Sequence, residues 1–221
     1  MRAAEDALVS PCVFEIGSDE GWGRLMQVLD MPADAPPASL VALFRSGRRT
    51  GRALRILIEP LTAEHDVSFF SCGNSALDGW LRLRALRNQT TGDSRSFVQA
   101  EEGRVNGFYA LSTASAARVG LPGALRRNAP DPMPLLLLGQ LAVDRDWQGR
   151  GLSVALLHDA GRRAPGAPWH VGFRALAAHP IDERAASFYC RYGWATIPDS
   201  RPPLMVLPVQ LLLAALAAAG G

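Results

Sequence analysis

At 221 residues, with 48% hydrophobic and 20% charged side chains, the chain has the balance of a soluble globular protein and the length for one well-buried domain with some tens of residues left over. The net charge is +2, and none of the 23 basic residues is lysine, a bias that genome composition accounts for more readily than function does. Scattered cysteines (Cys12, Cys72, Cys190), scattered histidines, an amino terminus carrying Glu5 and Asp6, and a longest apolar run of only Leu211 to Ala219 argue against a disulfide frame, a metal site, a secretory signal and a membrane span; a cytoplasmic protein with no membrane partner is expected.

Residues 1–53 read as an N-terminal extension. Trp22, Leu25, Met26 and Leu29 fall at helical spacing, Pro32 to Pro37 interrupt, and Leu40, Val41, Leu43 and Phe44 form a second short helix. Arg45, Arg48, Arg49, Arg52 and Arg55 then make a basic connector. The segment is read as an appended helical piece or the product of an upstream start codon, with a docking arm for a partner protein or RNA as the other reading.

Ile56 to Leu61 is a first strand, and Ser75 caps a helix with Leu77, Trp80, Leu81 and Leu83 to Leu86 turned inward. Ser94 to Ala100 and Val105 to Thr113 are strands joined by the hairpin signal Glu101-Glu102-Gly103-Arg104. Leu121 to Pro134 is a loop, and Leu135 to Val143 is the central strand. A helix follows and stops before Pro165, Gly166 and Pro168. Val171 to Ala178 is a strand. Asp182 opens a helix with Ala185, Phe188, Tyr189 and Tyr192 along one side, and Trp194 to Ile197 and Leu204 to Leu207 close the sheet. Residues 54–213 thus form a mixed α/β domain with a βαβ centre, and 214–221 a tail, with the run Leu211 to Ala219 read as a terminal helix or a frayed end.

The stretch Leu141 to Leu157, LAVDRDWQGRGLSVALL, is strand, glycine-bearing turn and helix. Gly149 and Gly151 bracket Arg150 where the first helical N–H groups have no carbonyl partners and the helix dipole is positive. Glycines there let phosphate oxygens approach the amides, so a diphosphate is held by backbone alone. A two-glycine turn by itself is also what an ordinary strand-to-helix connection shows.

Gln148-Gly149-Arg150-Gly151-Leu152-Ser153 resembles the coenzyme A pyrophosphate loop of GNAT acetyltransferases, with Ser153 departing from the usual last Gly or Ala. From His65 to Leu207 the chain resembles more narrowly the GNAT toxins of bacterial toxin and antitoxin pairs. The residues that carry this are Phe70-Ser71-Cys72-Gly73, Leu77-Asp78 with Trp80-Leu81, Asn88-Gln89, Ser94-Arg95, Gly107 to Leu111, Arg126-Arg127-Asn128, Leu138 to Asp144, and Ser187-Phe188-Tyr189 with Tyr192-Gly193-Trp194. The break at Pro165 to Pro168 and the first 50 residues depart from the family pattern.

The resemblance implies a GNAT fold: a mixed, mostly antiparallel sheet flanked by helices and splayed in a V after the central βα unit. It implies acetyl-CoA as cofactor, held by Leu141, Ala142, Val143, Gln148, Gly149, Arg150, Gly151, Leu152 and Ser153, and an aminoacyl-tRNA substrate acetylated on its α-amino group. It implies a cognate antitoxin of ribbon-helix-helix type as partner, and leaves a homodimer open. Tyr189 matches the family's catalytic tyrosine, whose phenol supplies a proton to the leaving thiol. Periodicity alone reads Tyr189 as a core aromatic, and Tyr192 competes for the role. The main-chain N–H of Val143 is the expected donor to the acetyl carbonyl. Eight arginines from Arg82 to Arg127 stand against Asp93, Glu101 and Glu102, a cation excess suited to RNA. Arg126, Arg127, Asn88 and Arg95 are the expected tRNA contacts, while Arg82, Arg84 and Arg87 are equally the solvated face of a helix. Acetylation of a protein N-terminus or small amine, and a non-catalytic coenzyme- or partner-binding module, are the rival readings.

Overall fold

The computed structural model describes residues 12–45, 56–119, 132–166 and 172–220, in which strands and helices are mixed along the chain. In order they are β1 (Cys12–Ile16), α1 (Asp19–Leu29), α2 (Ala38–Arg45), β2 (Ile58–Pro60), α3 (Ser75–Trp80), α4 (Leu86–Thr91), β3 (Arg95–Glu101), β4 (Arg104–Arg118) and β5 (Met133–Val143), then α5 (Leu152–Arg163), β6 (Ala175–Ala178), α6 (Glu183–Cys190), β7 (Ala195–Ile197), β8 (Ser200–Arg201), β9 (Leu204–Pro208) and α7 (Val209–Gly220). A π-helical turn, Leu81–Ala85, joins α3 to α4. Two compact units result, and β4, β5 and α5 contribute residues to each.

The first unit takes residues up to 112 from β2 onward, together with 138–161. Its strands run in the order β2-β3-β4-β5, and the β3/β4 hairpin is antiparallel with Val98 opposite Phe108. Glu102 (φ 50°) and Gly103 (φ 80°) supply the two left-handed residues of its turn, the geometry that matches strand twist in a two-residue hairpin. The core of this unit gathers Leu61, Phe70, Trp80, Leu81, Ala85, Val98, Phe108 and Ala142. Trp80 stacks on Phe108 with ring centroids 6.0 Å apart.

Two details differ from the sequence reading. The cap of α3 is Asn74, whose side chain accepts from the N–H groups of Ala76 and Leu77, because an Asx side chain reaches the N2 and N3 amides well; Ser75 is the first helical residue. Leu83 and Leu86 face outward, at 78% and 41% exposure, because the buried stripe runs Leu81, Ala85, Asn88 and both leucines lie off it.

The second unit holds 12–45, the far ends of β4 and β5, and the chain from 162 onward. Its strands follow β5-β6-β9-β7, with β1 on β4 and β8 on β1. β5 and β6 are parallel, Leu135 to Leu137 against Ala175 to Ala177, while β6/β9 and β7/β9 are antiparallel. The amino-terminal segment is more than helical. Cys12 to Ile16 forms a strand parallel to Ala114 to Arg118, with Phe14 and Ile16 fully buried in a core with Trp22, Leu25, Val28, Leu29, Met133, Leu135 and Val206. α2 packs on α7, which runs from Val209 through residue 220, the helical of the two readings of the Leu211 to Ala219 run.

Candidate active site

β5 carries one non-glycine residue in the left-handed region, Gln140 at φ 58°, which interrupts the pleat just before Leu141, Ala142 and Val143 and is the kind of irregularity that re-aims a strand. The strand then ends at Asp144, a buried carboxylate at 3% exposure. Its Oδ1 accepts from the N–H of Asp146 at 3.0 Å and so caps the short 3₁₀ turn Arg145–Trp147. The expected coenzyme residues therefore come together on one continuous strand, turn and helix within the first unit.

In that turn Gly149 (φ 74°) and Gly151 (φ 85°) are both left-handed. A side chain at either would meet no heavy atom within 4 Å, so the glycines are there for backbone conformation and the face above them is open. The α5 helix starts at Leu152, with Val154 and Ala155 N–H both donating to the Gly151 carbonyl. Leu152 and Leu156 are buried, and Leu152 lies close to Gly107 on β4, which anchors the first turn. The Arg150 guanidinium carbon sits 5.3 Å from the Trp147 ring centroid. An open, left-handed glycine turn ahead of an anchored helix of this length fits a diphosphate. Ser153 is half-buried in that first turn.

The side chain of Gln148 ties the turn to its surroundings. Its Nε2 donates at 3.0 Å to the carbonyl of Cys72 and at 3.0 Å to that of Val143, so both amide hydrogens are spent on main chain. Cys72 is half-buried, and burial, with a hydrogen bond involving Asp78, pushes its thiol up to about 11.

The expected tRNA contacts separate. Arg95 is exposed on β3. Asn88 is buried at 7% exposure, and its carbonyl accepts from Asp93, Ser94 and the left-handed Gly92, closing α4. Gln89 beside it is also structural: its Nε2 donates to Leu61 O and its Oε1 accepts from Ser96 N–H. Arg126 and Arg127 lie outside the described residues. Tyr109, given no role of its own in the sequence reading, is fully buried and donates from Oη to Asp159 on α5 at 2.6 Å.

Tyr189 belongs to the second unit, on α6, a helix capped by Asp182 Oδ1 accepting from Ala185 N–H at 2.7 Å. The phenol ring is buried, 5.0 Å from the Trp194 ring and 5.4 Å from that of Phe188. Burial pushes its phenol well above the ordinary range, so it keeps its proton throughout the working pH range. Tyr192 is buried on the same side and contacts Phe188.

A strand that breaks its pleat and feeds a glycine turn at a helix amino terminus, within a mostly antiparallel α/β sheet, has the form that the resemblance to GNAT coenzyme transferases implies. No family model matches the chain. It is 46% identical over 142 residues, 64% of its length, to the tRNA-acetylating toxin of Mycobacterium tuberculosis, 86% of which is covered. The structure of AtaT complexed with acetyl-methionyl-tRNAfMet matches at a TM-score of 0.60 and 27% identity, covering 70% of this chain and 95% of that one. A Tyr-to-Phe mutant of the AtaT toxin, bound to the C-terminus of the antitoxin AtaR and acetyl-CoA, matches at 0.59 and 25% identity, covering 71% and 94%. The chain belongs to the family of GNAT tRNA-acetylating toxins. Among the described residues no helix is long and apolar enough to cross a membrane.

Proposed function

We propose that this chain is an acetyl-CoA-dependent N-acetyltransferase that acetylates the α-amino group of aminoacyl-tRNA, blocks translation, and is restrained by a cognate antitoxin of ribbon-helix-helix type in the cytoplasm. The observation that carries the reading is the open Gly149–Gly151 turn ahead of an anchored α5, in a chain 46% identical to a tRNA-acetylating toxin. The transfer chemistry is assigned to residues 54–213, and residues 12–45 add strand and core to the second unit.

Acetyl-CoA, when bound, supplies an activated acetyl thioester. The amides of Gly149, Arg150, Gly151, Leu152 and Ser153 are the proposed diphosphate cradle, and the main chain of Leu141, Ala142 and Val143 the proposed partner of the pantetheine arm. Val143 N–H is the assigned donor to a carbonyl oxygen on which charge develops. Tyr189 Oη is the assigned donor to a departing sulfur. Burial holds the proton on this phenol at working pH, so Tyr189 is assigned as the general acid, giving its proton to the sulfur as the carbon–sulfur bond breaks, while the proton shed by the attacking amine returns to the phenol or to solvent. An aminoacyl α-amino group, with a pKa of roughly 7.7 to 8.0, is already partly neutral near pH 7, so no strong base is demanded. Arg95, Arg126 and Arg127 are the assigned contacts to the acceptor end, and buried Asn88 serves by closing α4.

Incubating the chain with labelled acetyl-CoA and a bulk charged tRNA pool tests the proposal. Label should enter the aminoacyl fraction, and Tyr189→Phe should lower kcat by about 10²–10⁴-fold while leaving coenzyme affinity unchanged. Label appearing only in peptides or free amines would overturn it.

A further inference from the structure

The loop Phe70–Gly73 has no regular secondary structure, yet every main-chain group of Phe70, Ser71 and Cys72 has a partner. Phe70 N–H donates to Val67 O at 3.3 Å, and Phe70 O accepts from Arg82 Nη1 at 2.9 Å. Ser71 N–H donates to Asp144 Oδ2 at 2.9 Å, and Ser71 O accepts from Arg145 N–H at 2.9 Å. Cys72 N–H donates to Asp78 Oδ1 at 2.8 Å, and Cys72 O accepts from Gln148 Nε2. Asp144 N–H donates in turn to Asn106 O at 2.9 Å.

Two buried carboxylates, Asp78 at 6% and Asp144 at 3% exposure, thus grip successive amides of one loop, and three of the loop's bonds go to Asp144, Arg145 and Gln148, the residues that lead into Gly149. Such charge-assisted bonds at low dielectric are the strong ones. Gly73 completes the fit: it is left-handed at φ 95°, and a Cβ there would stand 3.2 Å from Arg145 Nε, so the Arg145 side chain lies against a position only glycine fills without strain.

We propose that Asp144 is a positioning residue for the coenzyme turn, acting with Asp78 through the Ser71–Cys72 loop to fix the approach to Gly149–Gly151. The inference rests on the coenzyme reading of that turn. A carboxylate is required and an amide is not a substitute, because both oxygens of Asp144 accept from main-chain N–H groups, and an asparagine would turn a donor toward one of them.

Calorimetric titration of the full chain with acetyl-CoA, with steady-state kinetics and amide hydrogen exchange, tests this. Asp144→Asn should weaken acetyl-CoA affinity about 10- to 100-fold while kcat at saturating coenzyme stays within roughly threefold, and exchange should quicken at residues 71–72 and 145–152. Gly73→Ala strains the same clasp without touching a carboxylate; it should show the same loss of affinity and provides the reading if Asp144→Asn fails to melt cooperatively. Wild-type binding with unchanged affinity in the folded variants, or a fall in melting temperature alone, overturns the positioning role and spares the coenzyme reading. No heat from the wild type at millimolar acetyl-CoA overturns both.

Discussion

Around Asp144 the chain is held by hydrogen bonds, with five successive main-chain groups from Phe70 O to Cys72 O each given a partner. Around Phe14 it is held by apolar burial and a strand ladder, with Phe14, Ile16 and Leu25 at 0% exposure and β1 paired along Ala114 to Arg118. The contrast teaches what each region is for. Directional bonds fix a conformation to a fraction of an ångström but contribute modestly to stability, about 0.5–1.5 kcal/mol each, whereas burial is non-directional and contributes more per side chain, about 1.5–3 kcal/mol for a large apolar residue. A coenzyme turn needs placement; an amino-terminal segment needs only to stay attached.

The largest effect expected from that contrast is on stability in the second unit. Phe14→Ala removes a fully buried ring from the centre of its core and should cost about 3–5 kcal/mol, read as a lowered urea midpoint. Acetyl-CoA affinity of the folded protein should be unchanged. A loss below about 1 kcal/mol would mean that β1 is a peripheral strand.

Next is reactivity in the clasp. With its thiol pushed up from 9.0 to about 11, Cys72 carries about a hundredfold less thiolate than an ordinary thiol at pH 8, and only the thiolate is alkylated. Iodoacetamide followed by mass spectrometry should therefore modify exposed Cys190 well before Cys72, and Cys72 should gain rate steadily as pH rises toward about 11. Equal rates at pH 8 would show that the loop opens freely, contrary to the tight accounting of its bonds. The same shift makes stability pH-dependent: the neutral thiol is favoured in the folded state, so its contribution is intact below the ordinary thiol value and is lost as pH rises through about 11.

How much of this was legible in the sequence follows the same division. Local geometry was: Gly149 and Gly151 mark the turn into α5, though their left-handed backbone is seen only in the structure, Asp182 opens α6, and Glu102-Gly103 turns the hairpin, because each depends on a few adjacent residues. Strand β1 was not read, although Val13 out, Phe14 in, Glu15 out, Ile16 in is a period-two pattern; its ladder partners lie about a hundred residues away, and five residues are too short a window to compete with the helical spacing that follows. Leu83 and Leu86 misled because a run of leucines does not say which face is buried. The clasp was invisible for a different reason. Asp78 and Asp144 look like surface acids in sequence, and only tertiary contact turns them into buried acceptors. Gln148 stands in the expected motif, but its role inside the turn could not be read from spacing.

Gly107→Ala tests whether packing and placement are coupled in the first unit. The new methyl would lie 2.9 Å from Leu152 Cδ2 and 3.1 Å from Leu156 Cδ1, so the start of α5 must shift or its leucines change rotamer. The cost should be about 1–3 kcal/mol, with weaker acetyl-CoA binding because the first turn of α5 moves with Leu152. Full affinity at that cost would show that the leucines absorb the methyl and that the glycine turn is insulated from the packing beneath it.

The smallest effect belongs to a polar tie of the amino-terminal segment. Arg174 donates from Nη2 to Asp30 Oδ1 at 3.0 Å, with the two side chains 37% and 64% exposed, so solvent screens the pair and ordering two side chains offsets much of the attraction. Asp30→Asn should therefore cost no more than about 1 kcal/mol, and less again in high salt, as judged by urea midpoints at two ionic strengths. The carboxylate at Asp144 accepts hydrogen bonds just as the one at Asp30 does, and what separates them is burial: 3% exposure there against an open side chain here. If Asp30→Asn cost more than about 2 kcal/mol, the amino-terminal segment would be held electrostatically as the coenzyme turn is, and the division between placement by hydrogen bonds and attachment by burial would fail.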